Sequence, residues 1–359
     1  MAIRSIFGLD DVVLPVANVF PSSPLPGLPF TLNSGSSIST GVTVTREDGW
    51  LKLIAQLRSS SSNNNQNYLT CTMQQLGLNP TATSEFTIGM RWNCPRAAPN
   101  LSHWPQPMSF IGGALSNTIV VQNSAFPRGS IPNWVQGTEY YLEATYDLNA
   151  GTIKRYIDGS YLDTINIVAA ALTAMRAGTA TFYSGVPYVS DSVTVDYTFW
   201  IKDMYVTEKT GDGSPNGPLG PQRIYPISVA TIDQATWAAS PSGDNVAALN
   251  SPISDAASQL TPVVVSDPAI PSANVTLSPA AFVGPVNGVV LRMTARKNNG
   301  ALGQVAARVT TGADNSADVT TQLSNAMVVA NIYQSDKNPS GVKWTRASLQ
   351  SAVLKLSVL

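Results

Sequence analysis

Residues 137–162 constrain the fold more than any other part of the chain. Two sets of side chains alternate along the start of this stretch: Tyr140, Leu142, Ala144 and Tyr146 in one set, and Glu139, Tyr141, Glu143 and Thr145 in the other. Successive side chains of a β-strand point to opposite faces of a sheet, so this alternation indicates a half-buried strand. It resumes after a first turn, and again after Asp158-Gly159, a pair suited to a tight hairpin turn. The stretch therefore predicts three antiparallel strands.

Shorter alternating segments recur through the first 208 residues, notably in 50–58, 85–92 and 193–206. Polar turns separate them, which favours a β-sandwich. The best helix candidate is 165–175, which is mostly Ala. Three tryptophans of these segments are expected in the core or between sheets: Trp50, Trp92 and Trp200.

A change of composition marks a domain boundary at 210–221, which reads TGDGSPNGPLGP. Its density of Gly and Pro excludes a helix or a central strand. We therefore predict a first domain over 1–209, a linker over 210–221 and a second domain over 222–359, a length typical of one domain.

The second domain again alternates, for example in 289–295 and 305–309. Near its end, Thr345 is placed to cap a short helix, after which 353–359 can return as a strand. The predicted fold class is all-β, with two β-sandwich domains and a short helix near the end.

Two motifs carry family resemblances. The pattern of Tyr140, Tyr146-Asp147, Gly151-x-Ile153 and Tyr156-Ile157-Asp158-Gly159 resembles the centre of laminin-G-like (concanavalin-A-like) jelly-roll domains. The second domain is similar to a segment that follows such jelly rolls in tailed-bacteriophage virion proteins. That likeness is carried by Gly217, Leu219, Gly220, Arg223 and Pro226, then Trp237 and 242–245, then Pro339, Gly341, Trp344, Thr345 and Leu349.

Charge and hydropathy exclude some classes of partner. The net charge is −1 and only 12% of residues are charged, so no long-range field gathers nucleic acid or an anionic membrane. Residues 1–9 lack the apolar core of a signal peptide, and we find no apolar run of bilayer length. We expect synthesis in a host cytoplasm and no membrane insertion. Cys71 and Cys94 are expected to be buried side chains, with a disulfide between neighbouring strands as the alternative.

No catalytic constellation is recognisable. A glycosidase needs two carboxylates flanking the bond, but the pair Glu139 and Glu143 is expected to be a solvated pair of rim residues. The single histidine, His103, lies in a proline-flanked loop without a nucleophile motif. Asp147, Asn149 and Asp158 lie on turns, where such residues are good turn formers, and we assign no metal or cofactor site.

The remaining candidates are exposed aromatic side chains in Pro-rich loops. His103, Trp104 and Trp134 are the candidate glycan or partner contacts, with loop anchoring as the alternative for each tryptophan.

The resemblances imply a non-enzymatic structural component of a tailed-phage virion exterior, associated with the tail tip or a fibre. The alternatives are a capsid or collar decoration protein, and a lectin-like module that binds a bacterial surface glycan. Expected partners are other virion structural proteins and further copies of this chain in a homo-oligomer.

Overall fold

The computed structural model describes residues 2–7, 23–24, 30–34, 42–47, 50–57, 67–79, 82–96, 106–112, 124–127, 129–186, 195–209, 218–225, 227–233, 237–240, 246–247, 259–262, 272–279, 282, 284–295, 303–325 and 328–358. The chain divides into two compact units, Met1–Ile224 and Tyr225–Leu359. Both are built from antiparallel strands, so the predicted all-β class is confirmed. The predicted linker begins outside the described residues, at 210–217, and its described part belongs to the first unit; the predicted domain bounds stay a prediction.

The strands of the first unit, over the residues described there, are β1 (Ala2–Phe7), β2 (Ser23–Pro24), β3 (Thr31–Ser34), β4 (Val42–Glu47), β5 (Trp50–Leu57), β6 (Asn67–Thr72), β7 (Glu85–Arg96), β8 (Gln106–Ile111), β9 (Glu139–Asp147), β10 (Thr152–Ile157), β11 (Ser160–Asn166), β12 (Thr181–Val186) and β13 (Val195–Glu208). One helix of this unit, α1, spans Ala169–Ala177. It overlaps the candidate 165–175, but Ile165 belongs to β11.

Two antiparallel sheets make up the sandwich. The large sheet has the order β11-β10-β9-β7-β13-β5-β4, and β1 also pairs with β13. The small sheet has the order β2-β3-β6-β12-β8. The predicted meander is confirmed as β9-β10-β11, and its second turn has positive φ at both Asp158 (50°) and Gly159 (81°). Those two angles match the right-handed twist of a two-residue hairpin.

Aromatic rings from both sheets form the centre of the core. Phe86 and Tyr146 of the large sheet stack with their centroids 4.9 Å apart. Phe110 of the small sheet meets Tyr146 edge-on at 5.2 Å, and Phe182 beside it meets Phe110 at 5.5 Å. All four are almost fully buried. Edge-to-face pairs of this kind add to the burial of apolar area, so this cluster joins the two sheets.

Both cysteines lie in that core as thiols. Cys71 is 3% exposed and Cys94 0% exposed. Burial raises the pKa of the Cys71 thiol well above its ordinary value. The structure thus confirms two small buried side chains rather than a disulfide. In the part of the chain described, no helix has the length and apolar character needed to cross a bilayer.

The strands of the second unit, again over the described residues, are β14 (Ile227–Asp233), β15 (Trp237–Ser240), β16 (Gln259–Pro262), β17 (Ser272–Pro279), β18 (Val289–Ala295), β19 (Gln304–Thr311), β20 (Asp314–Asn315), β21 (Val319–Gln322), β22 (Val328–Ser335) and β23 (Ala352–Val358). One sheet has the order β14-β17-β23-β19-β20, with β21 also paired to β19, and β18 pairs with β22 in a second. Leu277, Val309 and Leu356 of the first pack with Leu291 and Ile332 of the second.

The predicted cap near the end of the chain is present. Helix α2 spans Arg346–Gln350, and the Thr345 side chain accepts a hydrogen bond from the Ser348 amide at 3.0 Å. The Thr345 amide donates in turn to the Ser348 hydroxyl at 2.9 Å. This reciprocal pair satisfies amides that the first helical turn leaves without partners, and β23 follows directly.

Candidate functional site on the outer face of the large sheet

The large sheet has a core face and an outer face that is turned away from the small sheet. In β7, Ile88 and Met90 are fully buried on the core face. Gly89 and Arg91 alternate with them and therefore lie on the outer face. The outer face carries the charged and hydroxyl groups of the strands at the sheet centre, so it is where we look for a site.

A bulge in β13 shapes this face. Lys202 pairs with Arg91, but Tyr205 pairs with Gly89, so two residues of β13 stand opposite one of β7. Asp203 is one of the two and has φ 50°, a left-handed value that is uncommon for a residue other than Gly. The extra residue turns both Lys202 and Tyr205 to the outer face and sends Met204 into the core.

Asp203 is held by a guanidinium and a backbone amide. Its Oδ2 accepts from Arg91 Nε at 2.7 Å, and its Oδ1 accepts from the Ile224 amide at 3.0 Å. The Arg91 guanidinium also pairs with the carboxylate of Glu139. Asp203 is 3% exposed, so its charge is compensated by a partner inside the protein rather than by water.

Glu143, on β9, lies nearby without a cation in contact with it among the described residues. Its Oε1 accepts from the Gly220 amide at 3.0 Å and from the Tyr205 hydroxyl. Its Oε2 is buried and has no hydrogen bond. Glu143 is 0% exposed. The expectation that Glu139 and Glu143 are both solvated was therefore wrong for Glu143, because another part of the chain covers it.

That part is residues 218–224, here called the covering segment. Besides the amides of Gly220 and Ile224, the Leu219 amide donates to the Tyr205 hydroxyl at 3.0 Å. The Gln222 carbonyl accepts from Arg91 Nε at 3.2 Å and from its Nη2 at 3.0 Å. The covering segment is thus fastened through its backbone, and the face below supplies the side chains.

Burial raises the pKa values of the titratable groups in this cluster. It raises the pKa of Glu143, against the opposing effect of the Tyr205 and backbone hydrogen bonds. It also raises the pKa of Asp203, although the Ile224 amide and Arg91 oppose the shift. The pKa values of Tyr141 and Tyr205 are raised well above their ordinary value, first by burial and then by the charge of Glu143. Raised carboxyl pKa values are found in catalytic acids, but these two carboxyls are sealed from solvent.

A second group of side chains lies on the outer face of β5 and β13, and we call it the Trp–Lys patch: Trp50, Lys52, Trp200 and Lys202. Lys52 stands directly opposite Trp200 in the ladder. The Lys52 Nζ lies 5.1 Å from the Trp200 ring centroid, and the Lys202 Nζ lies 6.0 Å from that of Trp50. The two indole centroids are 6.0 Å apart. All four side chains are half-buried.

The predicted contact residues fall elsewhere. Trp134 lies in the loop before β9, half-buried, with its ring packed against the core. The adjacent Val135 is 57% exposed, and its amide donates to the Tyr140 hydroxyl at 2.8 Å. These contacts agree with loop anchoring, while the predicted contact role of Trp134 stays a prediction. His103 and Trp104 lie outside the described residues.

The acidic turn residues, to which no metal site was assigned, accept hydrogen bonds from backbone amides. Asp147 Oδ1 accepts from the amides of Asn149 and Ala150 at 2.9 and 2.8 Å. Asp158 Oδ1 accepts from the Tyr141 amide at 2.8 Å. Within the described ranges, no group of three or more His, Cys, Asp and Glu side chains is placed to hold a metal ion.

The sequence contained a signal for the Trp–Lys patch that the prediction overlooked. Leu51 and Leu53 are each 1% exposed and face the core, so period-two alternation puts Trp50 and Lys52 on the other face. The expectation of a core or inter-sheet position is confirmed for Trp92, which is 0% exposed, and was wrong for Trp50 and Trp200.

Comparison with known proteins gives weak structural likenesses only. No family model matches the chain, and no curated protein matches it either. Among solved structures, a sialidase is 14% identical with a TM-score of 0.31, over 51% of this chain and 17% of its own. A structure of botulinum neurotoxin type C, whose cell entry is described as dependent on interaction with two ganglioside molecules, is 15% identical with a TM-score of 0.29, over 57% of this chain and 50% of its own.

The catalytic domain of an endo-1,3-beta-glucanase from Thermotoga petrophila is 13% identical with a TM-score of 0.34, over 58% of this chain and 98% of its own. The chain thus spans at most half the length of the sialidase and toxin chains. Likenesses at these TM-scores say nothing about what this chain binds. The class of protein rests on the strands themselves: an all-β chain whose first unit is a jelly-roll β-sandwich of two antiparallel sheets.

Proposed function

We propose that the chain is a non-enzymatic structural component of the exterior of a tailed-phage particle, associated with the tail tip or a fibre. The support is the resemblance carried by the motifs of both domains, together with the jelly-roll sandwich of the first unit. Its partners are other virion structural proteins and further copies of this chain. A capsid or collar position is the alternative on the same particle.

The non-enzymatic part of the proposal rests on the burial of Glu143 and Asp203 and on the hydrogen bonds that they accept. They are the buried carboxyls at the centre of the outer face, and both accept hydrogen bonds from the covering segment. An acid that protonates a substrate has to reach it within hydrogen-bond distance. Glu143 and Asp203 instead hold residues 218–224 in place, which is a structural task.

The particle assignment is tested by purifying phage from lysed cells by density-gradient centrifugation. Mass spectrometry should find this chain in the infectious band, and gold-labelled antibody should mark one repeated position in electron micrographs. Tail-tip label supports the first position, and capsid or collar label supports the alternative. A chain that stays in the soluble fraction would contradict the assignment.

The non-enzymatic part has its own test. Purified protein is incubated with bacterial surface polysaccharides, and reducing ends and unsaturated uronates are measured. We expect no release above that of a Glu143→Gln variant. Release that this variant abolishes would make Glu143 a catalytic residue and contradict the proposal.

The second candidate function is carbohydrate binding, and the Trp–Lys patch favours it. Two half-exposed indoles on a sheet face offer apolar area beside polar groups, which is the usual composition of a saccharide site. Binding to host cells should fall with Trp200→Ala. If Trp104→Ala or Trp134→Ala lowers it instead, the loop prediction is the correct one.

A further inference from the structure

The covering segment closes over a carboxyl group that is bonded only to neutral donors. Glu143 is 0% exposed, and it accepts from the Gly220 amide and the Tyr205 hydroxyl. Over the described part of the chain, its Oε2 is buried without a hydrogen bond. Burial of an ionised carboxyl group without a cation is unfavourable, whereas burial of the neutral acid costs much less. The ionised form of Glu143 therefore gains the most from contact with water.

The cation closest in the ladder is already paired with other carboxylates. On β7, Gly89 stands opposite Glu143. The next outer-face residue of that strand is Arg91, which pairs with Asp203 and Glu139. The charge of Asp203 is therefore compensated inside the protein, and that of Glu143 is not.

The other elements around Glu143 present mainly tyrosines. Tyr156 of β10 stands directly opposite it, and Tyr141 lies two residues before it on the same face of β9. On β13, Lys202 acts on the pKa of Asp203. The charged residue of the covering segment, Arg223, is exposed. Within the described residues, no ion pair connects any of these groups to Glu143.

The covering segment can leave the sheet without unfolding a strand, because it contains no helix or strand of its own. Its fastenings are hydrogen bonds of 3.0 to 3.2 Å, made by the amides of Leu219, Gly220 and Ile224 and by the Gln222 carbonyl. Segments held in this way open locally at a smaller free-energy cost than global unfolding. Ile224 ends the first unit and Tyr225 begins the second. Release therefore adds seven residues of free chain ahead of the second unit, about 24 Å when extended.

We propose that the covering segment is a pH-dependent clasp, which is closed while Glu143 is protonated and opens when Glu143 is ionised. In the closed state, burial raises the pKa of Glu143. In the open state, water surrounds the carboxyl group and its pKa returns toward the ordinary value. The closed state is thus fully favoured below the ordinary pKa, and it is progressively lost as the pH rises through the raised pKa.

The test measures opening by hydrogen–deuterium exchange of the full-length protein, with mass spectrometry of peptides that contain residues 219–224. The natural protein is compared with Glu143→Gln at each pH, because the ratio of the two rates cancels the pH dependence of the exchange chemistry. We expect a ratio close to one in acid. At higher pH the ratio should rise by at most about tenfold per pH unit, the limit for one proton. Glu139→Gln is the matched control and should behave like the natural protein, because 42% of that side chain is exposed.

Several outcomes would overturn the clasp. The first is a ratio that does not change with pH. Another is that Asp203→Asn, and not Glu143→Gln, removes the pH dependence, since Asp203 would then be the titrating group. Peptides of β9 that exchange faster in parallel would show that the whole sheet opens.

Tyr205→Phe provides an independent variant. It lacks the hydroxyl that bonds both Glu143 and the Leu219 amide. Its covering segment should therefore be more open than that of the natural protein at every pH. Equal exchange in the two proteins would show that this hydrogen-bonded group does not hold the clasp.

Discussion

The Tyr205 ring lies directly over Gly89, in the space that a β-carbon at that position would occupy. The glycine is therefore required by close packing across the β7–β13 ladder. The bulge at Asp203 causes this arrangement, because it sets Tyr205 opposite Gly89 and turns its ring to the outer face. The same ring carries the hydroxyl that bonds Glu143 and the covering segment.

Gly89→Ala should destabilise the first unit. The added methyl has to push the ring away, at a cost of about 2 kcal/mol for an overpacked site. Denaturant titration followed by tryptophan fluorescence measures the change. In the background of Tyr205→Ala the same substitution should cost much less, since the ring is gone. Equal costs in the two backgrounds would show that the Tyr205 ring is not the obstacle.

Glu143 should make the free energy of unfolding fall as the pH rises. Most carboxylates have the opposite effect on stability. The pKa of Glu143 is raised in the folded protein above the ordinary 4.5, so the protonated form is favoured by folding. The stabilisation is complete at pH values below the pKa of Glu143 in the unfolded chain. It is lost as the pH rises through the pKa of Glu143 in the folded protein. Glu143→Gln, which stays neutral, should therefore gain stability relative to the natural protein as the pH rises from acid to neutral.

The measurement is the free energy of unfolding at several pH values for both proteins. Glu139→Gln serves as the control, because that carboxylate is on the same strand and 42% of its side chain is exposed. A Glu143→Gln difference that does not change with pH would contradict the assigned direction.

Arg91 should be among the most sensitive positions of the first unit. Its guanidinium joins Asp203, Glu139 and the Gln222 carbonyl. Arg91→Met leaves Asp203 buried without its cation, which costs about 3 kcal/mol. It also removes the hydrogen bonds from Arg91 to the Gln222 carbonyl of the covering segment, so trypsin should cut faster after Arg223.

The control for Arg91 is another ion pair. Arg308 and Asp318 are 3.7 Å apart and well exposed, so Arg308→Met should change stability by less than about 1 kcal/mol. Similar losses from both substitutions would show that burial of the Arg91 pair is energetically unimportant.

Thr345→Ala should destabilise the second unit by about 1 kcal/mol, since it removes the oxygen that accepts from the Ser348 amide. Thr345→Ser keeps that oxygen and should restore most of the loss. Thermal unfolding of the two variants provides the measurement. A serine variant as unstable as the alanine one would mean that the methyl group, and not the cap, matters.

The sequence predicted the elements whose determinants are local. The β9-β10-β11 meander follows from the alternation of side chains and from the Asp158-Gly159 pair. The short helix near the end of the chain follows from its cap, Thr345. All these signals lie within a few residues of the structure that they specify.

The state of Glu143 could not be predicted in this way. Alternation gives the face on which a side chain lies, but not what covers that face. Glu143 is covered by Gly220, which is 77 positions away in the chain. The bulge in β13 could not be predicted for another reason. Asp203 adopts a left-handed φ, and no glycine at that position marks the bulge in the sequence.

The burial of both thiols has a practical use. Cys71 and Cys94 are the two cysteines of the chain, and each is shielded from solvent by the sandwich around it. Thiolate is the reactive form, so shielding slows alkylation of both thiols, and the raised pKa of Cys71 slows its reaction further. A cysteine placed at the exposed Lys154 would then react selectively with a maleimide dye, which gives a site-specific fluorescent label without first removing the natural thiols.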